Sequence, residues 1–288
     1  MGSYIGDFSV VGRFALVHAC KIGKSVIIGD QAIVMDGSVI GDNSIITANS
    51  LIPPGKTFPK NSLLSGAPAK VIRTIEEQEY KTFKLEILDN VNTNKSIVRS
   101  HIEGDDPLAE LGIEPWVNYQ KGIEEISAKA FVAPDAIIRG DIIVEDRASI
   151  WFATILASLP GGSISIGEGS NIQDNTIIDV KTNSLIIGKR VTVGHNVRLA
   201  GCTIGDNCLI GMGCTIEDGA IIEENAFVGA RAIIKANTVV KANTIFAGRP
   251  ASYFRDVKEE EAKFFRMGQE IYESFSADYI QELGSKKQ

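Results

Sequence analysis

The sequence is 288 residues long, 44% hydrophobic and 23% charged, with 29 basic against 36 acidic side chains and a formal charge of −7. That is the composition of a folded chain with room for two domains, and an acidic balance without lysine or arginine runs excludes a nucleic-acid footprint. No apolar run approaches the roughly 18 residues of a membrane span, no targeting segment is visible at the N-terminus, and four cysteines are too few for a disulfide scaffold.

The first elements in the chain recur every six residues. Ile5, Val11, Val17, Ile22, Ile28, Val34, Ile40, Ile46, Ile52, Phe58 and Leu64 form a series of large apolar positions, broken in phase only by the short step from Val17 to Ile22. A helix would repeat its apolar stripe near 3.6 residues and a plain strand would alternate at two, so neither explains a period of six. One large inward residue and one small corner residue per hexad is the mark of a parallel β-helix, in which three hexads close a triangular coil. Successive coils stack at about 4.8 Å, so residues about 18 apart lie above one another. The predicted fold is therefore mainly β, a hexapeptide-repeat β-helix.

This array ends in Gly66-Ala67-Pro68. A helix is predicted near Ile75 to Leu88, followed by a polar and mixed stretch, with His101, Trp116 and Tyr119, that reads as a linker. The hexad phase resumes at Ile126, Val132, Ile138, Val144, Ile150 and Leu156 and continues through Val193, Leu199, Ile204, Ile210, Ile216, Ile222, Val228, Ile234, Val240 and Phe246. Two interruptions, Leu159 to Ser165 and Lys181 to Ser184, read as loops pushed out of the coil. The second array ends in Gly248-Arg249-Pro250, and Val257, Ala262, Phe265, Gly268, Ile271 and Tyr272 then predict an amphipathic helix lying along the prism. Its Lys258 to Glu261 run reads as a solvated helix face.

The two arrays superimpose in sequence. A constant offset of 182 residues carries Ile5 to Ile187 and Phe58 to Val240 without a gap, and even the short step recurs, from Leu199 to Ile204. The pattern reads as a tandem duplication whose first copy starts at the equivalent of residue 183, which fits either a chain of one and a half copies or an N-terminally incomplete version of a longer one. The predicted organisation is a shortened β-helix over 1–72, a helix and linker over 73–125, a second β-helix over 126–250, and a helix over 251–288 that packs on it.

Residues 126–275 resemble the γ-class carbonic anhydrases and their left-handed β-helical relatives, and residues 5–79 resemble the second half of the same family. The likeness rests on Ala130-Phe131-Val132-Ala133-Pro134, on Ser149-Ile150-Trp151, on the run from Ile166 through Asn171-Ile172-Gln173-Asp174-Asn175, on Val191-Thr192-Val193-Gly194-His195 and on Ile210-Gly211-Met212-Gly213. The resemblance implies a left-handed parallel β-helix, two tandem prisms each followed by a helix, and assembly as a trimer of prisms. It also implies a zinc ion at each interface bound by three histidines, two from one prism and the second in sequence from its neighbour. Such a metal lowers the pKa of its water to about 7 and supplies hydroxide for attack on carbon dioxide.

The family's ligand positions are poorly filled. The second copy places Asp179, His195 and Ala200 at the first, second and third positions, and the first copy places Arg13 and His18 at the second and third. Alanine has no lone pair, and a guanidinium is a fixed cation without an acceptor. Pairing Arg13 with Asp179 and Ala200 predicts a salt bridge, while pairing His18 with His195 gives two imidazoles of an incomplete metal site. The family's Arg-Gly-Asp, which bridges subunits and orients the catalytic water, is replaced by Ala157-Ser158-Leu159, and Arg139-Gly140-Asp141 falls one coil too early and reads as a surface turn. Gln173 stands at the family's active-site glutamine, where a ladder amide at a prism corner is the competing reading. Cys202, Cys208 and Cys214 imitate a metal cluster by spacing, but six-residue steps put neighbours on successive faces, and small buried hydrophobes are expected.

These residues imply a catalytically degenerate scaffold subunit that needs no cofactor and partners other γ-carbonic-anhydrase-like chains in a trimer. Through the resemblance its home would be the matrix side of mitochondrial respiratory complex I; outside that assembly it would be cytoplasmic. Two alternatives stay open: a zinc-dependent carbonic anhydrase using His18 and His195, and a hexapeptide-repeat acyltransferase, for which no acyl-acceptor signature is present.

Overall fold

The computed structural model describes residues 2–76, 78–82 and 124–285. Most of the expected linker, with His101, Trp116 and Tyr119, lies outside the described residues; of the helix expected from Ile75 to Leu88, Ile75 and Glu76 are not helical, 78–82 are, and 77 and 83–88 lie outside the described residues. The chain divides into two compact units, Met1–Pro107 and Leu108–Gln288. Both are parallel β-solenoids, together about 11 turns of stacked coils with a C-terminal helix.

In the first unit, short strands from β1 (Tyr4–Ile5) to β11 (Ser62–Gly66) distribute over three parallel ladders. In the second, strands from β13 (Glu124–Ile126) to β32 (Thr244–Gly248) do the same. Most strands are two residues long, the first pointing out and the second in, because a hexad leaves only that much extended backbone between corners. The inward column is continuous: Ile204 stacks on Ile222 and Ile222 on Val240, 18 residues apart. Short coils close in 17, as from Ile5 to Ile22 and from Ile187 to Ile204. Long ones take 22 from Val144 to Ile166 and 21 from Ile166 to Ile187, and both extrusions fall at the sequence interruptions. In the middle coils the inward side chains are sealed, with Ile22, Ile40, Ile166, Ile204 and Ile222 each at most 1% exposed, whereas Ile5, Val11 and Ile126 in the first coils of the two units are 37–46% exposed. Sealing one such side chain stabilises the unit by about 1.5–3 kcal/mol relative to exposure.

The corners explain the small positions. Asn207, Gly213, Gly219, Asn225 and Asn237 carry φ between 55° and 72°, the left-handed region that glycine and asparagine enter most cheaply. The residue that follows turns its Cβ into the tight interior angle, where Cys208, Cys214, Ala220 and Ala226 are at most 2% exposed. Burial pushes the Cys202, Cys208 and Cys214 thiols up to about 12, so they remain protonated packing groups at neutral pH rather than thiolate ligands.

After each Gly-x-Pro turn the chain does not pass straight into a helix. Ala251–Asp256, expected as helix, forms β33, an antiparallel strand folded back on β32, and Ala69–Thr74 forms β12 on β11 in the same way. These return strands pair with the last coil, whose edge would otherwise present open backbone groups, and a solenoid needs such a cap. The helix proper, α1, runs Glu259–Ser285. It begins with Glu259, Glu260 and Glu261, which complement the positive helix end, and Glu261 accepts the Lys258 amide at 3.0 Å. Its inner side is Phe265, Gln269, Tyr272, Ser276 and Tyr279, spaced as one helical face. Among the described residues no helix is long and apolar enough to cross a membrane.

Candidate functional site

The second unit brings Asp174 and His195 to one corner. Ile172 is in register with Val193, so the residues two further along, Asp174 and His195, occupy the same corner of consecutive coils. The Asp174 carboxylate lies 2.9 Å from His195 Nδ1, with the His195 side chain only 8% exposed. Burial works against the Asp174 charge, but the hydrogen bond and charge of His195 outweigh it and hold the carboxyl below its usual range. On the other ring nitrogen, the Tyr272 hydroxyl from α1 stands 3.3 Å from Nε2. Tyr272 is set there by aromatic packing, with its ring edge-on to Trp151 at 5.3 Å, while Tyr279 closes the cluster against Phe131 at 5.6 Å.

Gln173, next to this corner, is 4% exposed and donates through Nε2 to Asn171 Oδ1 at 3.1 Å. Asn171 in turn donates to Thr192 Oγ1 at 2.9 Å. The first bond lies within one coil and the second crosses to the next, and together they tie Gln173 to the coil above.

The other two ligand positions lie on the next face. Asp179 ends the strand Ile177–Asp179, and its carboxylate meets Lys181 Nζ at 2.8 Å. Ala200 follows Leu199, and both Asp179 and Ala200 line a shallow groove of about 220 Å³ with Arg198, Thr215, Glu217 and Asp218. The acids of that groove are engaged locally: Glu217 with Lys235 at 2.8 Å, Asp218 with the Gly201 amide and the Asn183 side chain, each at 2.9 Å. Arg139 stacks in register with Ala157, and Ala157 with Asp179. Ala157 thus lies in register between Arg139 and Asp179 on consecutive coils.

In the first unit Arg13 donates to Asp30 through Nε at 3.0 Å and through a terminal nitrogen at 2.8 Å. Partial burial opposes the Asp30 charge, and the Arg13 contacts prevail and keep its carboxyl below the usual range. His18 meets Asp36 through Nδ1 at 2.5 Å. Each unit therefore satisfies its residue at the second ligand position with a carboxylate of its own. Among the described residues no group of three or more His, Cys, Asp or Glu side chains is arranged to hold a metal.

A family of bacterial transferase hexapeptide repeats matches residues 19–54 and 184–218, and a hexapeptide repeat of succinyl-transferase matches residues 219–244. Gamma carbonic anhydrase 3, mitochondrial, of Arabidopsis thaliana is 51% identical over 143 residues, 47% of this chain and 55% of that protein. Protein YrdA of Escherichia coli is 31% identical over 170 residues, which cover 56% of this chain and 92% of that protein. The chain belongs to the γ-carbonic-anhydrase-like family of hexapeptide-repeat proteins. A solved hexapeptide transferase family protein from Anaplasma phagocytophilum shares 37% identity with this γ-carbonic-anhydrase-like chain at a TM-score of 0.51, covering 54% of this chain and 92% of that one. The chain spans 55–59% of the length of the Arabidopsis relatives it matches.

The family's zinc does not fit the side chains at its expected positions here. Of the three, one is a carboxylate neutralised by a lysine, one is a methyl group, and one is an imidazole with a neighbour at each nitrogen. Sequence reading named these positions but missed Lys181, Asp174 and Tyr272 as their partners. Asp174 was within reach, since the coil register puts it directly beneath His195, and Lys181 lies two residues from Asp179. Nothing in the sequence marks Tyr272 as a neighbour of His195, because that contact depends on how α1 lies across the prism.

Proposed function

We propose that this chain is a structural, catalytically degenerate member of its family that assembles with other γ-carbonic-anhydrase-like prisms into a trimer. The observation that supports it is the state of the ligand positions: Asp179 is held by Lys181, Ala200 offers no lone pair, and both nitrogens of His195 are met within its own unit. The inward columns stay intact while the chemistry at the corners has been replaced, as expected where assembly is the retained role. The plant relatives carry mitochondrial names, which supports a mitochondrial home, and we propose the matrix side of respiratory complex I as the assembly. Native gel separation of membranes followed by mass analysis tests this. The chain should migrate with other family subunits in a large complex, and a chain recovered alone would overturn the reading. Purified full-length protein should also hold no stoichiometric zinc and show no zinc-dependent hydration of carbon dioxide.

One observation favours the zinc-dependent alternative. His18 and His195 each have Nδ1 on a carboxylate, at 2.5 Å and 2.9 Å, which is how metal-binding imidazoles are oriented. In that reading each histidine contributes Nε2 to a site completed on assembly, and zinc content would fall when either is changed to alanine.

A further inference from the structure

A histidine can bind a metal only if one ring nitrogen keeps an available lone pair while the other is held in place. In His195 the holding partner is Asp174, at 2.9 Å from Nδ1. A carboxylate only accepts, so Nδ1 carries the proton and Nε2 is left as the acceptor. The group that meets Nε2 is the Tyr272 hydroxyl at 3.3 Å. A phenol donates readily to an imidazole nitrogen, so Tyr272 donates to Nε2 while the Nδ1 edge of the ring faces the Asp174 carboxylate.

The surroundings are those of a docked helix. On the same side of α1, Gln269 is 4% exposed and donates to the Gly169 carbonyl at 3.3 Å, and Ser276 is 6% exposed. Phe265 packs on Phe227 at 5.0 Å, and the Tyr272 ring lies against Trp151. The hydroxyl of Tyr272 therefore reaches the prism from a ring that packing has already fixed.

We infer that His195 serves as a docking point for the C-terminal helix: Asp174 orients the imidazole, and Tyr272 takes the lone pair that a metal would need. Helix and metal compete for one nitrogen, and the helix holds it. A position that binds metal in the family thereby becomes a fastening between α1 and the prism. The inference rests on the scaffold reading in one respect, that no metal claims His195.

Tyr272→Phe is the decisive variant, because it removes the hydroxyl and leaves the ring in its aromatic cluster. In full-length protein, amide exchange along 265–279 should accelerate about fivefold, the loss expected for one buried hydrogen bond. The Nε2 resonance of His195 should shift in nitrogen-15 spectra, and added zinc chloride should perturb it at concentrations that leave the unsubstituted protein unchanged. Unchanged exchange and an unchanged Nε2 resonance would overturn the proposal. So would zinc binding to His195 in the unsubstituted protein with α1 still protected. The two readings fail separately: zinc-dependent hydration that survives His195→Ala would sink the scaffold reading and leave the docking point standing.

Discussion

The two solenoid units are copies of one design with different corners. At the inward positions they agree: Ile22, Ile28, Ile40 and Ile46 are as deeply buried as their equivalents Ile204, Ile210, Ile222 and Val228. The junction after the last coil is also repeated. Arg73 grips Glu79 and Arg255 grips Glu261, so the return strand is tied to the following helical segment in both. The corners differ. Where the second unit has Gly213, the first has Gln31 at φ 57°, and Asn196 corresponds to Phe14 at φ 55°. The left-handed corner has survived side chains that disfavour it by about 1–2 kcal/mol each. The inward column dictates the coil, and the corner backbone follows at whatever local strain results.

The two units also differ at the family's second ligand position. Arg13 with Asp30 is a pair open to solvent, its side chains 77% and 41% exposed, whereas in the second unit the His195 imidazole is 8% and the Asp174 carboxylate 31% exposed. An exposed ion pair contributes little, while losing the partner of a buried imidazole leaves a costly orphan.

The largest test of this comparison is at the column. Ile187 is 1% exposed and its equivalent Ile5 is 46% exposed. Ile187→Ala should cost about 3 kcal/mol and Ile5→Ala under about 1 kcal/mol, measured by hydrogen exchange of amides specific to each unit. Equal costs would show that the columns are not what holds the coils.

Next comes the second ligand position. Asp174→Ala should destabilise the second unit by about 1.5 kcal/mol, and Asp30→Ala the first by under about 0.5 kcal/mol. The pH dependence has a definite sign. The folded Asp174 carboxyl titrates below its unfolded value, so its contribution is fully present above about pH 4 and is lost as the pH falls through the folded value. Denaturation series between pH 5 and pH 2, with and without Asp174, should converge at the acid end.

The junction clamp should give a smaller effect. Arg255, with the Lys258 amide, draws the Glu261 carboxyl down to about 2. Its stabilisation is present above about pH 4.3 and disappears toward pH 2. Arg255→Met should return the Glu261 titration toward about 4.3 in carbon-13 spectra, with a stability loss below about 1 kcal/mol because the pair is largely solvated. Arg73→Met should move Glu79, which Arg73 also holds below its usual range, in the same direction.

The smallest expected change is at the corner. Gln31→Gly relieves a left-handed glutamine but adds freedom to the unfolded chain, for a net gain of about 0.5 kcal/mol. A loss of stability there would mean that Gln31 makes a contact worth more than its strain.

The solenoid, its duplication and the large residues of its core column are legible in the order of the amino acids alone. A period of six with a constant offset between copies leaves one way to bury the aliphatic positions, and each coil repeats the same pattern. That order also puts Asp179, His195 and Ala200 at set register positions of the second unit, since identity at a register position is a one-dimensional fact. The partners of those residues are set by contacts made in the folded chain. Lys181 closes on Asp179 where an extruded loop returns to the coil, Ala251–Asp256 turns back as a strand because the last coil offers an unpaired edge, and Tyr272 meets His195 across 77 residues of sequence. Such contacts come from where a helix lies across a prism face, and a repeat pattern carries no record of that placement.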